Sequence, residues 1–228
     1  MTPIELVFMR HGEAHCQIDK RVGGPRGCTG LTGRGVLQAK HAARWLAAEH
    51  ERAPFTTVYA SPLPRARETA DLVAQQLRLR VDVRSDLRDP DYGEADGLLW
   101  KDVLTGVRGQ AEDGLTVPIA PDAEIWTDYL ARVGAELDWI VTRHPHQRVL
   151  VIGHGETISA AGYSFFSLPP SIRVRAGFAT DATGITRWAR RRQEPASELR
   201  WVWTLVEHNR TSHLYRMRQE TSSDTASP

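Results

Sequence analysis

The stretch Ile4-Glu5-Leu6-Val7-Phe8-Met9-Arg10-His11-Gly12-Glu13 decides how this chain folds. Ile4 to Met9 is a short, almost unbroken apolar run. That is the pattern of a strand buried on both faces, since a half-exposed strand would alternate apolar and polar residues. Arg10 and His11 follow with no spacer, and Gly12 comes next. Both side chains are costly to bury unless paired or solvated, so the strand is expected to end in a site that uses them. Phosphate is the ligand that would make such a pair useful.

Two further segments repeat the arrangement. Thr57-Val58-Tyr59-Ala60 is a short apolar strand. Ser61-Pro62-Leu63-Pro64 turns the chain after it, with Ser61 read as a turn or capping residue, and Arg65 to Leu77 reads as a helix. Arg148 to Gly153 (RVLVIG) is a third buried strand, followed by His154-Gly155 and a helix beginning near Glu156. Between these segments, residues 14–31 carry many glycines and no periodicity and are expected to form a loop. Thr32 reads as the N-cap of a helix running to about His50. Val81 and Val83 alternate with charged residues, as in a more exposed strand. Residues 86–97 are rich in acids and glycine and read as a loop. A long helix is expected from about Ala123 to Arg143, with Ile125, Tyr129, Val133, Leu137 and Ile140 on helical spacing. Residues 172–187 and 199–207 read as antiparallel strands joined by the basic stretch RWARRRQEP. Strands alternating with helices predict an α/β fold, a three-layer α/β/α arrangement around a mostly parallel, Rossmann-like sheet.

In such a sheet ligands bind outside the carboxyl ends of the strands. Parallel strands would bring Arg10-His11, Ser61 through Arg65, and His154-Gly155 to one crevice. Two imidazoles and two guanidiniums repel one another unless an anion lies among them. Arginine forks match phosphate oxygens in bidentate geometry, and a neutral imidazole is a competent nucleophile toward phosphorus.

The segments Met9 to Glu13 (MRHGE), Ser61 to Ala70 (SPLPRARETA), Leu87 to Gly93 (LRDPDYG) and Val151 to Gly155 (VIGHG) resemble, in order, the motifs of the histidine phosphatase superfamily. The resemblance is to its phosphoglycerate mutase-like group, the branch 1 type. Leu31-Thr32, Gly35 and Gln38-Ala39 also match the first helix of that family, and Asn209 through Leu214 (NRTSHL) resembles its closing strand. The resemblance implies a single domain over residues 1–220 and a metal-independent phosphomonoester hydrolase that needs no cofactor. His11 would attack phosphorus and become a phosphohistidine. Arg10, Arg65 and His154, with Gln17 and Gly155, would hold the phosphoryl oxygens. A carboxylic acid would protonate the leaving alcohol and afterwards activate water.

The chain departs from the family pattern at two positions. The acid is usually a glutamate, and here the matching residue is Asp89, one methylene shorter; Asp89 is the first choice and Glu94 the second. Gln17 stands where many members have asparagine. Glu13 is expected to orient its neighbours. A phosphoglycerate mutase-type phosphotransferase is an alternative, but residues 101–123 contain only Lys101 and Arg108 as bases, which argues for hydrolysis. A non-catalytic module binding phosphorylated ligands is a third reading.

Composition bounds the remaining classes. A chain of 228 residues with 41% apolar content can bury one substantial core. Lysine plus arginine number 29 against 28 acids, a balance unlike that of a general nucleic-acid binder. The run Arg187 to Arg192 therefore reads as solvated surface or as part of the substrate mouth, and Trp100, Trp126, Trp188, Trp201 and Trp203 as core or rim packing. His11, His15 and Cys16 offer no fourth metal ligand. Two cysteines are too few for a disulfide framework. A cytoplasmic protein is expected, with a small phosphorylated substrate, no nucleic-acid or membrane partner, a possible homodimer, and a disordered tail over residues 221–228.

Overall fold

The computed structural model describes residues 3–107, 116–172, 176–193, 200–215 and 217. Six strands form one sheet: β1 (Glu5–Arg10), β2 (Thr57–Ala60), β3 (Val81–Val83), β4 (Arg148–Gly153), β5 (Ile185–Gln193) and β6 (Arg200–Arg210), in the order β3-β2-β4-β1-β5-β6. β1 through β4 are parallel, while β5 runs antiparallel to β1 and β6 antiparallel to β5. Among the described residues the helices are α1 (His15–Ile18), α2 (Gly33–Arg52), α3 (Pro64–Leu77), α4 (Trp100–Val107), α5 (Trp126–Arg143) and α6 (Gly155–Phe165).

The expected three layers follow from the two-residue period of the central strands. On β1, Leu6 and Phe8 face a core shared with α5 and α6, whereas Val7 and Met9 face a second core shared with α2 and α3. On β4, Val149 and Val151 join the first core, and Leu150 and Ile152 the second. Both faces are covered, so neither strand shows alternation in its sequence. α2 starts where Thr32 Oγ1 accepts from the Gly35 N–H at 3.0 Å, and α3 starts at Pro64, whose fixed φ and missing donor suit a first helical position. On α5, Tyr129, Val133, Leu137 and Ile140 are buried at the expected spacing, and each such apolar side chain contributes roughly 1.5–3 kcal/mol of burial.

Several boundaries differ from the sequence reading. The antiparallel strand expected over residues 172–187 is instead Ile185–Gln193, so most of the basic stretch is itself β5 and not a connector. Trp188 explains this: it is fully buried in the α5/α6 core, and Arg187 is neutralised by Glu5 at 3.1 Å. Arg190, Arg191 and Arg192 are exposed. The strand expected over 199–207 runs on to Arg210, and the segment compared to a closing strand ends in a short 3₁₀ turn at Ser212–Leu214. The expected loop 14–31 contains the single turn α1, and the long helix begins at Trp126, not Ala123. Trp203 stacks on Phe165 at 4.2 Å between ring centroids, while Trp201 is half exposed. The tail 221–228 and Arg108 lie outside the described residues. Among the described residues no helix is long and apolar enough to cross a membrane.

Candidate active site

The carboxyl ends of β1, β2 and β4 meet. The His11 N–H donates to the Gly153 carbonyl at 2.9 Å, and the Ser61 N–H to the Ile152 carbonyl at 3.0 Å. The turn after β1 packs so closely on the start of α2 that a Cβ at Gly12 would lie 2.5 Å from the Gly35 carbonyl oxygen. Only glycine fits there. The Gly12 N–H also donates to Thr69 Oγ1 on α3, at 3.1 Å. Arg65 occupies the first turn of α3 and is 3% exposed. His154 caps the N-terminus of α6, with its ring centroid 5.3 Å from that of His11. A cavity of about 370 Å³ opens here, lined by Arg10, His11, Arg65, Asp89, Tyr92 and Glu156 among others.

Hydrogen bonds determine the state of His11. Its Nδ1 lies 2.6 Å from the Gly12 carbonyl oxygen, which can only accept, so Nδ1 carries the proton. Its Nε2 receives the Arg65 Nε–H at 3.0 Å, and a guanidinium can only donate, so Nε2 holds a lone pair. Burial first, then the charges of Arg65 and Arg10, hold the imidazole well below its ordinary range. A neutral ring with an unprotonated Nε2 is the nucleophilic form.

Arg65 binds three acceptors from one planar group. Nη1 donates to the Gly23 carbonyl at 2.5 Å, and Nη2 donates to Asp89 Oδ2. Asp89 is 6% exposed, and its carboxyl is pushed well above the usual carboxylate range, by burial first and by the Glu156 carboxylate next, against the opposing pull of Arg65. His154 Nδ1 lies 3.3 Å from Asp89 Oδ2, and its Nε2 is 2.8 Å from Ser61 Oγ. Ser61 Oγ accepts from the Leu63 N–H at 3.3 Å and can therefore point its own hydrogen at His154 Nε2. Burial and the neighbouring cations keep His154 neutral as well. Arg10 donates through Nη1 to the Thr180 carbonyl, which fixes its fork beside the cavity.

The structure thus brings together Arg10, His11, Arg65, Asp89 and His154. Gln17 is exposed at the cavity wall, its Oε1 accepting from the Ala14 N–H at 3.1 Å. His154 and Gly155 sit behind the wall, not on it. Glu94 is exposed and lines a separate hollow with residues 117–121, so the second-choice acid is outside the site. Glu13 accepts from the Thr32 hydroxyl at 2.8 Å and steadies the start of α2. Sequence reasoning missed Glu156, which lines the same cavity as Asp89. Its signal was the repeat of His-Gly-Glu at residues 11–13 and 154–156. It also missed Cys16 and Cys28, two buried free thiols in contact beside Arg65. Among the described residues no group of three or more histidine, cysteine or acidic side chains is placed to hold a metal ion.

Comparison with known proteins bears on this geometry. A bifunctional protein of Mycobacterium tuberculosis is 34% identical over 157 residues, which are 67% of this chain and 42% of that protein. The chain therefore spans less than half the length of that relative. A glucosyl-3-phosphoglycerate phosphatase of the same organism is 28% identical over 176 residues, 72% of this chain and 76% of that protein. A phosphoserine phosphatase of Entamoeba histolytica, solved as a mutant with phosphoserine, superposes with a TM-score of 0.73 over 92% of this chain and 99% of that one. At 20% identity that likeness speaks for the fold alone. The model of the histidine phosphatase superfamily (branch 1) matches residues 6–202, and the chain belongs to that superfamily.

Proposed function

We propose that this protein hydrolyses a small phosphomonoester through a phosphohistidine formed on His11, without a metal ion. The observation that carries the reading is the state of His11: Nδ1 donating to Gly12, Nε2 unprotonated and turned to the cavity wall between two arginines. An entering phosphoryl oxygen would take over the Arg65 Nε–H from His11 Nε2 and so free the lone pair. Nε2 would then attack phosphorus while the phosphorus–oxygen ester bond breaks. Arg10 and Arg65 would spread the charge of the equatorial oxygens, with the Gln17 amide as a further donor. His154 would hold Asp89 from behind. Asp89, kept protonated by burial, would give its proton to the departing alkoxide. As a carboxylate it would then take a proton from the water that cleaves the phosphorus–nitrogen bond. Phosphate leaves and the starting state returns.

The test is rapid quenching after mixing with a ³²P-labelled ester. An acid-labile, alkali-stable label on the protein is expected, absent in His11→Ala. Label found only as free phosphate at every quench time would refute the pathway.

One observation favours a second reading. Lys20 and Arg21 line the cavity mouth, where cations could hold a substrate carboxylate for phosphotransfer. Incubation with 3-phosphoglycerate and its bisphosphate primer would then yield 2-phosphoglycerate; hydrolysis alone yields inorganic phosphate.

A further inference from the structure

The catalytic cavity does not end at Asp89. A second hollow of about 200 Å³ lies against it, and Tyr92, Trp100 and Glu156 form walls of both. Asp89 borders the first space and its neighbour Pro90 the second, so the loop that carries the acid runs along the boundary. Beyond that boundary the walls are Val117 and Ile119, from the segment before α5, and Trp126 at the start of α5. The polar group among them is Glu124. Its carboxylate accepts from Arg132 at 2.8 and 2.6 Å and from the Asp91 N–H at 3.1 Å, so its charge is offset within the protein.

The aromatic walls are held in place before any ligand arrives. The Tyr92 and Trp100 rings meet edge-on, with centroids 5.6 Å apart and planes at 87°, and Trp126 stacks on Tyr129 at 5.1 Å. Tyr92, Trp100 and Trp126 are each only half-buried, which leaves part of every ring open to a ligand. Rigid aromatic surface of this kind binds at little cost in ordering. An apolar cavity of about 150 Å³ accepts a benzene ring, so the hollow has room for one aromatic ring. Charge narrows the class further. Glu156 stands in the shared wall, and among the described residues no lysine or arginine is paired with it. Lys20 and Arg21 border the catalytic cavity but not the hollow, and Arg21 Nη1 is bonded to the Gly97 carbonyl at 2.8 Å. A carboxylate entering the hollow would pass a like charge that no cation offsets, and it would lose water to apolar walls.

We infer that this hollow is the subsite for the organic half of the phosphorylated ligand, and that this half carries an uncharged aromatic ring close to the ester oxygen and no carboxylate. The inference rests on the hydrolase reading for the place of the phosphoryl group, among His11, Arg10 and Arg65. With the leaving oxygen at Asp89, the next atoms of the alcohol pass Tyr92 and Trp100 into the hollow. Trp100 and Trp126 then determine selectivity, and a phosphoglycerate is the wrong kind of substrate.

The test compares 2-phenylethyl phosphate, ethyl phosphate and 3-phosphoglycerate. The first two are esters of primary alcohols, so their leaving oxygens make the same demand for a proton and differ in the ring alone. Moving a ring from water into such a space is worth roughly ten- to a hundredfold. For wild type, kcat/KM should be at least tenfold higher for the phenylethyl ester than for either of the others. Trp100→Ala and Trp126→Ala should each cut the phenylethyl-to-ethyl ratio at least fivefold; a ratio taken within one variant is unaffected by loss of folded protein. Calorimetry with 2-phenylethylphosphonate and ethylphosphonate, which cannot be hydrolysed, should show the same preference in Kd. Equal kcat/KM for the phenylethyl and ethyl esters, a preference for 3-phosphoglycerate, or a ratio untouched in both variants would each overturn the inference while leaving the hydrolase standing. Preferential binding of the phenylethylphosphonate by a protein that turns over no ester would uphold the subsite and overturn the hydrolase. Binding of neither phosphonate would overturn both.

Discussion

Replacing Arg65 by lysine separates charge from geometry at the centre of the site. The guanidinium reaches His11 Nε2 at 3.0 Å, the Gly23 carbonyl at 2.5 Å and Asp89 Oδ2 at once, from a side chain that is 3% exposed. An ammonium on a shorter, non-planar head keeps the positive charge but cannot span three acceptors that diverge in direction. Two of them lose their donor in a buried setting, at roughly 1–3 kcal/mol each. Folding stability should therefore fall by about 2–6 kcal/mol, and further for Arg65→Ala, which leaves all three acceptors without a donor. Activity should fall more steeply. Loss of one preorganised donor aimed at developing charge is worth roughly 100- to 1000-fold in turnover, and Arg65→Lys also removes the bond that fixes the His11 ring. Urea unfolding at pH 7 measures the first quantity, and kcat for an aryl phosphate the second. A lysine variant that keeps turnover within threefold of wild type would refute the argument, because the fork would then contribute only its charge.

Two further outcomes follow from the packing. Gly12→Ala places a methyl 2.5 Å from the Gly35 backbone oxygen. The turn after β1 must then separate from α2, at roughly 1–3 kcal/mol, and His11 moves with it; a lowered melting temperature together with lost turnover is expected, and an unchanged variant would show that this contact is not tight. His213, buried against Thr183 Oγ1 at 3.0 Å, is lowered to about 4 by burial, with His41 and Arg210 adding to it. Because its folded value lies below the unfolded one near 6.5, the unfolded state binds more protons as the medium is acidified. The contribution is complete above about pH 6.5 and is lost as pH falls toward 4. Between pH 7.5 and 4.5 wild type should lose roughly 2–3 kcal/mol more than His213→Gln, which paired urea titrations would show; parallel losses would place the titration elsewhere.

What was legible in the sequence was whatever a single segment determines. β1, β2 and β4 are apolar on both faces because helices cover both, and a continuous run of that kind admits few other readings. Arg10, His11, Arg65 and His154 stood out because each is a polar group placed directly after such a run or its turn. β5 was hidden because its Arg187 is neutralised by acids far away in the chain, while Arg190, Arg191 and Arg192 point to solvent like a surface run. Arg187 and Arg148 share Glu5 and Glu49, so a basic strand looks like a solvated connector until the acids are in place. The choice between Asp89 and Glu94 was hidden for a related reason. Both lie in one loop, and only the fold turns one inward to Arg65 and pins the other outward, its N–H bonded to the Pro121 carbonyl at 2.9 Å.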